Sequence, residues 1–177
     1  MPMAPAVRRF VLTVHVIVSV GWFGAVAAFL ALAVAGLASR SVQTVQAAYL
    51  AMELIGLFVI TPLSLASLAS GLVSALGSPW GLFRHYWVVF KLVLNVVATA
   101  VLLLYIQSLG YFAGLVRNEG LTSADLAQLR DPTHVLHATA ALIVLGLAAV
   151  LAVYKPRGMT RYGQRKQLVL AARNRSA

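Results

Sequence analysis

Cysteine is absent from the 177 residues, which removes disulfides, thiolate chemistry and cysteine-ligated metal centres together. Acids are scarce: Glu53, Glu119, Asp125 and Asp131 are the 4 carboxylates, against 14 Lys and Arg. The chain has no G-x-G-x-x-G, no P-loop, no H-E-x-x-H and no G-x-S-x-G. ATP-driven coupling, zincin chemistry and the nucleophile elbow are therefore not expected in this chain. Its length leaves no room for a second folded domain beside one bundle.

What is present is hydrocarbon. Hydrophobic residues make up 61% and charged ones 10%, with a mean hydropathy of +0.89. A soluble domain of this size cannot bury so much apolar surface, so the composition predicts an integral membrane protein. Crossing ~30 Å of hydrocarbon takes about 20 helical residues. Four apolar runs meet that length, at about 10–37, 47–76, 86–109 and 135–153. The first follows Arg8-Arg9 but exceeds the ~7–15 residues of a secretory apolar region, so it is read as a retained helix. Thr61-Pro62 predicts a local break in the second. The predicted fold is an all-α polytopic membrane bundle of four helices.

Charge sets the expected orientation. Arg8, Arg9, Arg84, Lys155, Arg157, Arg161, Arg165, Lys166, Arg173 and Arg175 fall on one side. Arg40, Arg117 and Arg130 fall on the other, with Glu119, Asp125 and Asp131. The positive-inside rule then puts both termini in the cytoplasm, and the location is the inner (plasma) membrane. The basic tail, 154–177, reads as a topogenic segment that touches anionic lipid, not as a nucleic-acid site. Expected partners are the bilayer and, at the protein level, a homo-oligomer or a membrane complex. The loop from Tyr111 to Pro132 is the main outer segment, and Ser123 is placed to cap a short helix with Leu126 and Leu129 on one face. Ser64, Ser67, Ser70, Gly71, Ser74 and Ala75 line the second span, a pattern that lets helices approach closely.

Several polar residues interrupt the apolar runs. His15 is five residues past Phe10 and Lys91 five past Tyr86, so each lies on the order of 7 Å below the cytoplasmic face at ~1.5 Å per residue. Two helices that enter from one side bring the two groups to one level. Lys91, Asn95 and Thr99 share a face, with Trp87 one turn earlier; His15, Ser19 and Trp22 share another. The bland alternatives are a lysine that snorkels to headgroups and a histidine bonded to a helix carbonyl. His85 sits at the interface beside Arg84. In the outer half, His134 and His137 are three apart and Glu53 falls near their level. They form either a divalent-metal site or a rim of hydrogen bonds and ion pairs.

His15-(six residues)-Trp22 followed by "FGAV" resembles the first helix of the HemJ-type membrane protoporphyrinogen oxidases, and Trp87-x-x-x-Lys91-Leu92 resembles that family's Trp-x-x-x-Lys-Leu. CopD-like membrane domains share a similar His-plus-Trp opening. The later histidines of the HemJ-type pattern are missing from "AAFLALAVAG" and "AVLLLYIQS". In overall texture the chain is similar to uncharacterised four-helix bacterial membrane proteins. The resemblance covers roughly the first and third spans. It implies haem b between them, with His15 as axial ligand and Lys91 on a propionate or as a catalytic base. Trp22 and Trp87 would wall the ring, with Asn95 and His85 at its edge. Two function classes follow: a haem b protein of redox type, or a non-enzymatic accessory subunit or small transporter component with structural histidines.

Overall fold

The computed structural model describes residues 3–78, 81–117 and 122–175. Its elements are α1 (Pro5–Ala38), α2 (Val42–Ile55), a π-helical turn (Gly56–Ile60), α3 (Thr61–Leu76), α4 (Tyr86–Arg117), α5 (Ser123–Leu129), α6 (Thr133–Tyr154) and α7 (Arg161–Arg175). No strand occurs among the described residues. Four stretches are long and apolar enough to cross a membrane: Pro5–Ala38, Val42–Leu76, Tyr86–Arg117 and Asp125–Tyr154.

Local sequence explains the element ends. Pro5 opens α1, where its missing N–H costs nothing. Ser41 caps α2, its Oγ accepting from the Thr44 N–H at 3.4 Å. Asp131 accepts from the Thr133 N–H at 2.8 Å and so caps α6. The cap of α5 corrects the expectation: it is Thr122, not Ser123. Thr122 Oγ1 accepts from the Asp125 N–H at 3.2 Å while the Asp125 carboxylate accepts from the Thr122 N–H at 2.9 Å, the reciprocal capping box.

The expected break at Thr61-Pro62 takes the form of the π turn. Pro62 has no N–H to give to the preceding turn, and the Thr61 hydroxyl donates to the Gly56 carbonyl at 2.8 Å. The chain stays helical through the junction. A second correction concerns α4, which runs to Arg117 and not to 109. Gly110 and Gly114 do not end it, so the first third of the predicted outer loop is helix.

The helices close in the order α1, α2/α3, α4, α6, and back to α1. The first and third spans, α1 and α4, therefore face each other across a diagonal. The core lies on that diagonal and includes Trp22, Phe29, Tyr49, Met52, Leu109, Leu129 and Ala138. Outside it the usual polarity is inverted: Phe10, Phe58, Phe90 and Leu104 are 69%, 73%, 60% and 74% exposed. Such a surface suits hydrocarbon better than water.

Met3 lies against Gly77, so the start of α1 and the end of α3 share one end of the bundle. The chain after α6 returns there as well. Thr160 N–H donates to the Arg84 carbonyl at 3.0 Å, its hydroxyl to the Phe83 carbonyl at 2.5 Å, and Tyr86 N–H to the Gly158 carbonyl at 3.4 Å. This is the basic end. Two backbone bonds and one from the Thr160 hydroxyl pin the segment leading into α7 to the segment that leads into α4.

Candidate functional site

Toward the basic end, α1, α3 and α4 meet at His15. It is 5% exposed, and both ring nitrogens are engaged. His15 Nδ1 lies 3.0 Å from Ser70 Oγ, and Nε2 lies 3.2 Å from Lys91 Nζ. The direction of these bonds follows from Ser70, whose single hydroxyl proton goes to the Ala66 carbonyl at 2.6 Å. Ser70 Oγ must then accept from His15 Nδ1–H, which leaves Nε2 as a lone pair for a Lys91 N–H. The chain Lys91→His15→Ser70→Ala66 is one directed relay.

Glycine makes room for it. A Cβ on Gly71 would stand 3.0 Å from His15 Cε1, so any larger residue there would make the imidazole shift by a few tenths of an ångström. Beside it, Ser19 Oγ and Ser67 Oγ are 2.9 Å apart, tying α1 to α3 one turn further in. The serine stripe of the second span is thus both close packing and a polar lining. Ser74 Oγ is buried with no hydrogen-bond partner among the described residues, as are Asn95 Oδ1 and Thr99 Oγ1.

Lys91 has no carboxylate partner among the described residues. Among the described residues, Glu53 pairs with Arg117, Asp125 bonds Thr122 and Asp131 bonds Thr133. An ammonium has three N–H donors, and the only contact made by Lys91 Nζ that the structure gives is His15 Nε2.

At the other end of the bundle, the expected metal set is not assembled. Glu53, 8% exposed, is held by the Arg117 guanidinium through both carboxylate oxygens. His134 is 2% exposed, shares a hydrogen bond between its Nδ1 and the Tyr105 hydroxyl, and is boxed by the rings of Tyr49 and Phe112 at 5.1 and 4.9 Å. His137 Nδ1 donates to the Thr133 carbonyl of its own helix at 2.9 Å, and its ring stacks on Tyr105 at 4.7 Å. No group of three or more His, Asp or Glu able to hold a metal occurs among the described residues. Arg117 and Tyr105 are the residues the sequence reading missed. Tyr105 carried a signal, since it lies two heptads beyond Lys91 on the same face of α4.

Between the two polar ends lies an apolar cavity of about 230 Å³. Trp22 and Phe29 of α1, Gly56 and Ile60 of the π turn, the α4 face from Leu94 to Leu109, and Ala138 and Ala141 of α6 line it. Gly56 and Ile60 are the first and last residues of the π turn. An apolar cavity of ~150 Å³ is already dry and takes apolar guests.

The geometry does not suit a porphyrin at His15. Nε2, the nitrogen an axial ligand would offer, is taken by Lys91, and the bonded pair leaves no gap for a ring plane on the α1–α4 diagonal. The open volume begins beyond, at Trp22, and is below the ~300–1,000 Å³ of drug-sized sites. Trp87 is half-buried one turn before Lys91. His85 is half-buried in the segment bridged to Met159, outside the relay.

No family model, curated protein or solved structure matches the chain. The functional reading therefore rests on these residues.

Proposed function

We propose that the chain is a multi-pass membrane protein, both termini cytoplasmic, whose working centre is Lys91 with His15 and Ser70. Its task is to bind an anionic group inside the cytoplasmic half of the bundle. The observation that carries this is Lys91 Nζ, directed at His15 Nε2 and without a carboxylate among the described residues. A charged group in hydrocarbon faces the bundle interior and marks a ligand path or a proton relay. Two of its N–H donors remain for a guest anion. His15 Nε2 accepts the third.

The test is extraction. Protein purified in mild detergent is denatured, and the released anionic amphiphiles are measured by mass spectrometry. Wild type and Lys91→Arg should release one in near-stoichiometric amount, and Lys91→Met should not. Equal release from all three overturns the reading.

A second reading has its own observation. His15 is satisfied at both nitrogens by protein groups, which suits a structural histidine in an accessory subunit. Under it, Lys91→Met loses stability and no ligand.

A further inference from the structure

The cavity and Lys91 share one helix face. Positions 91, 94, 98, 101, 102 and 105 recur at three- and four-residue intervals, so Lys91 stands one turn below Leu94, where the cavity begins. On α1, His15 stands seven residues before Trp22, the cavity's inner wall. The lining ends at Leu94 and Trp22, one helical turn from Lys91 on α4 and two from His15 on α1.

The lining residues of the space are spread along α4. From Leu94 to Leu109 the lining of α4 extends about 22 Å at ~1.5 Å per residue, yet the volume is only about 230 Å³. A slot of this form holds one extended chain and not a fused ring system or a pair of chains. Its width comes from small residues: Ala98 on α4, and Ala138 and Ala141 on α6.

We infer that the site takes a single-chain amphiphile with a terminal carboxylate, its hydrocarbon in the slot and its carboxylate on Lys91. This rests on the reading of Lys91 as an anion-binding amine and adds the ligand class. Charge complementarity selects the head, because the amine has no acid of its own among the described residues. Depth selects carboxylate over phosphodiester. Lys91 lies inside the hydrocarbon in the proposed orientation, where a lone carboxylate paired with an ammonium is less costly than a larger, more strongly hydrated headgroup.

Trp22 provides the readout, since it is 3% exposed and lines the slot. Purified full-length protein in detergent is titrated with 9,10-dibromostearate, whose bromines quench tryptophan at contact. The expected result is saturable quenching that disappears in Trp22→Phe and is at least tenfold weaker for the methyl ester. Ala141→Leu, or the milder Ala98→Val if the first fails to fold, should weaken it about tenfold. Quenching of equal strength by a dibrominated phosphatidylcholine would overturn the inference in favour of ordinary lipid. Wild-type binding in both slot variants would also overturn it, while loss in Lys91→Met in the same series would leave the anion site standing. Equal binding of acid and ester would overturn both.

Discussion

Lys91 Nζ lies 3.2 Å from His15 Nε2 and joins two helices that face each other across the bundle diagonal. A snorkelling lysine turns its amine away from the bundle toward headgroups; this one turns inward. The relay continues into α3 through Ser70, so three of the four long helices are tied at one level by a single imidazole.

Gly71 is the tightest constraint on that imidazole. Gly71→Ala should push the ring off Ser70 and Lys91 and cost about 1–3 kcal/mol, the usual range for overpacking. Gly110→Ala, whose Cβ meets nothing within 4 Å, is the control and should be neutral. Thermal unfolding in detergent compares the two. Equal stability of both variants would mean that His15 is loosely held.

The level of His15 and Lys91 is legible in the sequence, because each lies five residues past the start of a predicted span, Phe10 or Tyr86, that enters from the same basic end. Their partner Ser70 was visible as part of a small-residue stripe, but its bond to His15 was not, since spacing along one helix does not fix rotation against another. The Glu53–Arg117 pair was hidden for a different reason. The third apolar run ends at about Leu109, which leaves Arg117 in the predicted outer loop. The apolar company of Tyr111, Phe112, Leu115 and Val116 carries α4 two further turns and brings Arg117 to Glu53. The capping box of α5 was readable as Thr122-x-x-Asp125 and was passed over for Ser123.

Zinc should not stabilise this protein. Glu53 is committed to Arg117 and His137 to its own backbone, so Zn²⁺ should leave the melting temperature unchanged. A rise that His134→Ala abolishes would show that the three groups gather on a metal after all. Glu53→Gln should cost about 1 kcal/mol or less, because Arg117 is 55% exposed.

Tyr105→Phe removes the hydroxyl that serves the buried His134 Nδ1. The expected loss is about 0.6 kcal/mol and no more than about 1.7, the average and maximum for hydrogen bonds between membrane helices. Tyr111→Phe, on an exposed position, should change nothing measurable. Identical melting of the two variants would remove the Tyr105–His134 bond from the list of stabilising contacts.

The α7 segment depends on Gly163, where a Cβ would run into the Arg84 carbonyl. Gly163→Ala should free α7 from the 83–86 segment and speed tryptic cleavage at Arg161 and Arg165. Unchanged cleavage would mean that the Thr160 bonds alone hold it.

The inward turn of Lys91 is tested most directly by the ring nitrogens of His15. In protein labelled with ¹⁵N-histidine, the Lys91–His15–Ser70 relay predicts His15 with its proton on Nδ1 and with Nε2 accepting a hydrogen bond. Lys91→Met should move the Nε2 resonance to that of a free lone pair and leave the other three histidines unchanged. A His15 that carries its proton on Nε2, or whose resonances ignore Lys91→Met, would contradict the relay and return Lys91 to the headgroups.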